Sequence, residues 1–489
     1  VTPSRRSSSL GGDALLILAG RIVSAGGTAA ITVIIGRELG PTRYGVYALA
    51  LAIAATVGSV SELGIGSAAG RAVAQAHGNE RAARAIARSC IRLKLAFTLP
   101  VAGLLVLAAP WVSRLFGGTT AHAGSIRAAG AVLVGAELFA LLATLLIALR
   151  VARENVVLSL AKGLGELGLV IALVVVLGGG AREAVLATGL GYAASIAVGV
   201  LLVSRRPPGG GAIGAIPTWR AIVRSARLIW LAQLPWICFV AIDQLLLGAM
   251  LGPRAVGLYN APTRINAALQ LVAMPVAAAL APRMASIADA AERRALFNRA
   301  LRAVTALYLA IGVAAIPLAG PVIAVALGPT FARSADVLRA ILPYTALLGA
   351  APLMALSLNY LGTRRSQVVV GLVTVALNVV GDLILIPVLG VVGPAIATDA
   401  AFLFYAGGHL VLCARQIGVE RSPLLRSATT GLAAGAVAAL AEVAISLGGL
   451  GDATALALGT IVGSALALAV LAGRRELDGT LLDTFRSRA

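Results

Sequence analysis

Polar positions are sparse along most of this chain. They gather into short clusters that separate fourteen apolar stretches, at 13–36, 44–66, 91–112, 125–149, 156–177, 184–203, 228–250, 257–281, 303–327, 336–361, 366–388, 391–413, 427–447 and 453–472. A hydrocarbon core of about 30 Å is crossed by roughly 20 helical residues at ~1.5 Å each, so each stretch predicts a transmembrane helix. None of them keeps the polar face that a helix in a soluble domain turns to water. The expected class is an all-α polytopic membrane protein of about 14 transmembrane helices.

The pattern repeats. Gly36 to Tyr47 reads G-x-x-L-G-P-x-x-x-G-x-Y, and Gly248 to Tyr259 reads the same at an offset of 212 residues. Without a gap, the offset also maps Arg71 to Arg283, Glu80 to Glu292, Arg127 to Arg339 and Arg153 to Arg365. Internal self-similarity of this length points to a duplicated structural unit. The expected organisation is an N-terminal lobe at 1–203 (helices 1–6), a cytoplasmic linker at 204–227 and a C-terminal lobe at 228–413 (helices 7–12). Residues 414–489 add helices 13 and 14 and a cytoplasmic tail. Six helices per copy preserve orientation, so the lobes should be related by a pseudo-two-fold axis along the membrane normal, with the main site between them near the midplane. Leu39-Gly40-Pro41 and Leu251-Gly252-Pro253 should end a helix and turn the chain back tightly, as should Leu327-Gly328-Pro329. Tyr47 and Tyr259 are expected at headgroup level, where amphipathic rings settle.

Composition agrees with the pattern. Hydrophobic residues make up 59% and charged ones 12%, against about 25% charged in a soluble chain. The net charge of +20 could suggest nucleic acid, but aromatics are only 4% and no basic surface interleaved with aromatics appears. The sidedness of the charge explains it better: odd-numbered links carry seven basic residues, while even-numbered links and both termini carry 29. Basic residues collect on the cytoplasmic side, so both termini are expected inside, in the cytoplasmic (inner) membrane. The short polar start, Val1 to Gly12, suggests that the first span is retained and not a cleaved signal. Cys90, Cys238 and Cys413 lie far apart, as do His77, His122 and His409, and neither set has a metal spacing. No phosphate loop, H-E-x-x-H or nucleophile elbow occurs, and the loops are too short to hold a catalytic domain. The protein is not expected to be an enzyme or to need a cofactor or metal.

Ionisable residues inside membrane helices cost at least ~2.5–3.5 kcal/mol by insertion scales and mark function by default. Arg21 in helix 1 has no local partner, and Arg264 in helix 8 lies at a depth similar to that of Asp243 in helix 7. A guanidinium fork matches phosphate oxygens two at a time, so Arg21 and Arg264 are the candidates for a pyrophosphate site, with Asp243 and Lys162 beside them. A structural Asp243–Arg264 ion pair is the competing reading. Lys162 and Glu166 are spaced i, i+4 and can neutralise each other. Glu137 is either a protonatable coupling site or the partner of a basic residue on another helix. Glu62 lies near the inner end of helix 2, where solvation is the plainer reading. Asn378, Asp382 and Asp399 form a polar patch on helices 11 and 12 suited to a cation or a sugar. Arg127 and Arg339 read first as interfacial anchors, and Glu442 as a snorkelling or paired residue. Coupling to a proton or a sodium ion is the expectation these acids raise.

Residues 36–52, 61–75 and 241–265, with Asp243-Gln244 ahead of the second L-G-P-x-x-x-G-x-Y element, carry a resemblance over nearly the whole chain. The sequence resembles the bacterial oligosaccharide/polysaccharide flippases, the polysaccharide branch of the multidrug/oligosaccharidyl-lipid/polysaccharide exporter superfamily. The drug-exporting branch usually has twelve helices, so helices 13 and 14 favour the polysaccharide branch. The resemblance implies two six-helix lobes, alternating access, and movement of a polyprenyl-(pyro)phosphate-linked oligosaccharide from the inner to the outer leaflet for envelope polysaccharide assembly. It also implies cationic residues from helices 1 and 8 in the cavity, which Arg21 and Arg264 match; helix 1 here has one arginine where similar lipid II flippases often have more. Helices 13 and 14 would flank a groove for the lipid tail. The implied partners are the lipid-linked glycan, membrane lipids, and a polysaccharide polymerase or glycosyltransferases, with no nucleic acid. The alternatives are a small-molecule or multidrug exporter of the same superfamily and a non-transporting scaffold for envelope assembly.

Overall fold

The computed structural model describes residues 10–76, 79–149, 151–204, 239, 241–270, 273–361, 364–449 and 451–474; the side chains of residues 10–25 lie outside that set, as does the expected linker. All regular structure among the described residues is helical. Helices are the elements that satisfy every backbone N–H and C=O within one segment, which the bilayer core requires.

The chain forms two compact units, Val1–Gly257 and Leu258–Ala489. The first begins with α1 (Leu10–Glu62), in which one residue, Gly40 (φ 67°, ψ 174°), departs from helical geometry. The expected loop between helices 1 and 2 is thus a one-residue break. Glycine supplies the positive φ, and Pro41 then restarts the helix with its φ already set. The same pairing recurs at Gly252 (φ 78°) before Pro253 and at Gly328 (φ 82°) before Pro329, so all three L-G-P turns form as expected. After a second break at Leu63–Gly64 come α2 (Ile65–Gln75), α3 (Glu80–Gly117), α4 (Ala123–Ala148), α5 (Ala152–Val170), continued by a π-helical turn at Ile171–Val176, and α6 (Ala181–Ser204). The last whole helix of the unit is α7 (Ala241–Leu251).

The second unit contains α8 (Pro253–Asn266, its first turn still in the first unit), α9 (Ala273–Ser286), α10 (Ala290–Leu327), α11 (Ser334–Ala340), α12 (Leu342–Leu348), α13 (Ala351–Leu361), α14 (Arg364–Leu389), α15 (Gly393–Gln416), α16 (Arg421–Leu447) and α17 (Asp452–Gly473). Helix 8 of the expected set passes into a 3-10 turn at Ala267–Gln270, and helix 10 is divided into three by Ile341 and Gly349. Tertiary contacts hold these broken ends: Asn266 Nδ2 donates to Thr345 Oγ1 at 2.7 Å, and Ala273 N donates to the Tyr308 hydroxyl at 2.8 Å.

Ten helical runs among the described residues are long and apolar enough to span a bilayer. Two of these runs, Gly26–Glu62 and Arg365–Gln416, each cover two expected spans; the remaining pair, helices 7 and 8, correspond to short α7 and to divided α8–α9. Helix length alone therefore establishes ten runs and not fourteen spans. Their outward faces are apolar, with Leu107, Trp111, Val176 and Leu447 among the large exposed side chains, as contact with lipid tails demands.

Small residues let the helices approach. In the first unit a Cβ at Gly45 would fall on the Pro253 carbonyl, and a Cβ at Gly257 would fall on the Pro41 carbonyl. Gly45 and Gly257 are equivalent positions of the two motifs, as are Pro41 and Pro253, so the two motif copies clasp each other reciprocally. Tyr47 and Tyr259 are both buried among packed helices and not turned outward. Tyr47 places its hydroxyl 3.3 Å from Thr188 Oγ1 on α6.

Candidate functional site

Three polar clusters sit within apolar helices. The first joins α5, α6 and α1. Lys162 Nζ lies 2.5 Å from Glu166 Oε2, as the i, i+4 spacing requires. Thr188 Oγ1 donates to Glu166 Oε1 at 2.8 Å and also meets the Tyr47 hydroxyl. Lys162 stands 5.1 Å from the centre of the Tyr192 ring, a cation–π distance, and Tyr192 packs edge-on against Phe139 of α4. Gly191 lets α6 close on this point, since a Cβ there would come 2.8 Å from Glu166 Cβ. Glu166 is buried and Lys162 keeps 19% of its side chain exposed. The cation is thus held in place yet reachable.

The second cluster joins α3 and α4. Lys94 Nζ forms a salt bridge to Glu137 Oε2, and Lys94 is only 1% exposed. Glu137 rests against Gly58 of α1, where a Cβ would come 2.8 Å from Oε1. Ser61 and Thr98 lie alongside with their hydroxyl oxygens 3.4 Å apart. Of the two readings open for Glu137, the structure shows the ion pair with a basic residue on another helix. Lys94 is not among the intramembrane charges singled out from sequence. Its flanking Leu93 and Leu95, inside the predicted span 91–112, were the signal that it belongs within the membrane. Glu62 serves a local purpose: it accepts from Gly64 N at 2.5 Å and Gly66 N at 3.0 Å. That fixes the sharp turn into α2 and places negative charge at its N-terminus, where the helix dipole favours it.

The third cluster lies between α14 and α15. Asn378 and Asp382 are fully buried one turn apart on α14, and Asn378 Nδ2 donates to Thr398 Oγ1 of α15 at 3.3 Å. Of the polar patch expected from sequence, Asn378 and Asp382 thus share a buried stretch of α14, and Asn378 reaches Thr398. Asp399, the next residue on α15, is turned elsewhere: its Oδ1 accepts from Tyr344 N at 2.8 Å, which satisfies a backbone donor at the break before α12. Arg339 pairs with Asp336 at 2.9 Å at an exposed position, in keeping with an anchoring role.

Asp243 is buried on α7, and Arg264 is partly buried in the last turn of α8. They belong to different units. Arg21 lies on α1, with its side chain outside the described residues. No group of three or more His, Cys, Asp and Glu residues capable of holding a metal occurs among the described residues.

These features match known proteins at two levels. Residues 10–288 match the family model described as polysaccharide biosynthesis protein. The chain belongs to this family. Among solved structures it is similar to the lipid II flippase MurJ in an inward closed conformation, with a TM-score of 0.75 and 14% identity over 95% of this chain and 99% of that one. It is also similar to an inward-facing multidrug resistance MATE transporter of the MOP superfamily (TM-score 0.60, 16% identity, 84% of this chain and 96% of that one). A third is the MATE multidrug transporter DinF-BH in complex with R6G (TM-score 0.64, 16% identity, 85% and 99%). No curated protein matches by sequence. The fold is that of these transporters, and the resemblance read from the sequence is borne out at the level of family and fold.

Proposed function

We propose that this protein flips a polyprenyl-(pyro)phosphate-linked oligosaccharide from the inner to the outer leaflet by alternating access, for envelope polysaccharide assembly. Membership of the polysaccharide biosynthesis family over residues 10–288 carries this reading. The likeness to a lipid II flippase over 95% of the chain supports it. In this reading Arg21 and Arg264 capture the pyrophosphate, with the half-reachable Lys162 as a further cation. The membrane is the cytoplasmic one, both termini face the cytoplasm, and a polymerase or glycosyltransferases work beside it. An inside-negative potential drives anions outward by ~2.3 kcal/mol per charge per 100 mV. Proton or sodium coupling would draw on the buried Asn378–Asp382–Thr398 cluster.

The test is lipid-linked oligosaccharide flipping in proteoliposomes. Arg21→Ala and Arg264→Ala should each lower the rate at least about tenfold, the loss expected when a charged hydrogen bond of ~1.5–3 kcal/mol is removed. Wild-type rates in both variants would overturn the site and leave the substrate class standing. The likeness to MATE drug exporters favours a second reading, small-molecule export; wild type that flips no glycolipid but moves cationic dyes would establish it instead.

A further inference from the structure

The C-terminal helix pair contains a buried acid that the proposed function does not use. Helix α16 carries Gly431 and Gly435, and α17 carries Gly459 and Gly463, each pair spaced as G-x-x-x-G, which lets helix backbones approach closely. The two pairs do different things. Gly431 and Gly435 press onto the backbone of α10, where a Cβ at Gly435 would come 2.7 Å from the Ala310 carbonyl oxygen. Gly459 and Gly463 instead make a seat for Glu442 of α16. A Cβ at Gly463 would come 2.6 Å from Glu442 Oε1, and one at Gly459 would come 3.5 Å from its Cγ.

Glu442 is 5% exposed, and Oε2 is buried with no hydrogen-bond partner. This corrects the expectation of a snorkelling or paired residue. Among the described residues, no counter-charge is near on the helices packed around it. In α10, residues 303–327 hold no titratable side chain except Tyr308, whose hydroxyl is engaged by Ala273 N. On α17 the one other such group is Asp452, in the first turn. The nearest charge on α16 itself is Arg426, sixteen residues away, or roughly 24 Å along the helix. An isolated carboxylate in such a place is too costly to persist, and the group neutralises instead. Glu442 is therefore seated as the neutral acid. Around the seat, Leu440, Val443, Leu447, Leu458 and Ile461 are exposed and apolar, so lipid lies immediately outside.

We propose that Glu442 is a proton-binding site, separate from the polar clusters of α3–α6 and α14–α15. Its ligand is a proton, exchanged when α17 moves off the carboxyl. The seat also defines a modification chemistry. An apolar carbodiimide dissolves in the surrounding lipid and reacts with a protonated carboxyl. The acid proton passes to a carbodiimide nitrogen while the carboxyl oxygen bonds to the central carbon. The acyl group then shifts from oxygen to nitrogen, leaving a stable N-acylurea with no leaving group.

The experiment treats the full chain in lipid nanodiscs with dicyclohexylcarbodiimide and maps adducts by peptide mass. It does not depend on transport, so it can fail without touching the proposed function. The expected result is an N-acylurea on Glu442 in mildly acidic buffer that declines as the buffer is made alkaline. Glu442→Gln removes that adduct alone. In wild type a water-soluble carbodiimide with an amine nucleophile leaves Glu442 unlabelled, whereas in Gly463→Ala, whose Cβ displaces the carboxyl, Glu442 becomes labelled. Three results would overturn the proposal: no adduct on Glu442 at any pH, an adduct indifferent to pH, or equal labelling of wild-type Glu442 by the water-soluble reagent. The wild-type measurements alone decide among these if either variant does not accumulate.

Discussion

The two units bury their acids differently. In the first, Glu137 is paired with Lys94 and Glu166 with Lys162; these are the chain's two lysines. In the second, Asp399 receives a backbone N–H, and Glu442 is seated against glycines with no ion pair among the described residues. The packing device is shared all the same. Each of these three glutamates faces a glycine on a neighbouring helix: Gly58 for Glu137, Gly191 for Glu166 and Gly463 for Glu442. A glycine makes room for a carboxyl between helices, and what lies beside it sets the charge state. Where a lysine is present the site is a fixed ion pair. Where none is present the site is free to exchange a proton.

The strongest way to break this comparison is to strand Glu137. Lys94→Met should destabilise the protein by ~3–5 kcal/mol, the cost of leaving one member of a buried pair uncompensated. The double variant Lys94→Met/Glu137→Gln should recover most of that loss. Thermal unfolding in detergent measures both; equal losses in the single and double variants would show that the pair compensates nothing.

Lys162→Met should cost less, ~1–3 kcal/mol, because Glu166 keeps its hydrogen bond from Thr188 and Lys162 is partly exposed. The same melting measurement would reverse the ranking if this variant proved the weaker of the two.

The smallest effect is expected in the second unit. Asp399→Asn keeps an oxygen to accept the Tyr344 N–H and should stay within ~0.5 kcal/mol of wild type. Asp399→Leu loses that acceptor and should cost ~1 kcal/mol, as a lost helix cap does. If the Asn variant is as unstable as the Leu variant, charge and not the hydrogen bond is what Asp399 contributes.

Several of these features could be read from local spacing. Lys162 and Glu166 are four residues apart, and a helix leaves them no other arrangement than one shared face. Asn378 and Asp382 are legible for the same reason. The surroundings of Glu137, Asp399 and Glu442 were not legible, because each is set by residues of another helix. The Lys94–Glu137 pair spans α3 and α4, and the Asp399–Tyr344 bond spans α15 and α12. Glu62 looked like a solvated helix end until the Leu63–Gly64 break put two backbone N–H groups within its reach.

By itself the sequence determined that this is an all-α membrane protein, where its L-G-P turns fall, that its motif is duplicated, and which family it resembles. The first three follow from apolar run length, from glycine and proline stereochemistry, and from a repeat at an offset of 212 residues, and the resemblance rests on the motif residues themselves. The tertiary structure alone decided that Glu137 has Lys94 as its cation while Glu442 has none among the described residues, and that Tyr47 is buried between helices. It also showed that equivalent glycines and prolines of the two motifs clasp each other. Those outcomes depend on which helix faces meet across long stretches of chain, and hydropathy carries no record of that.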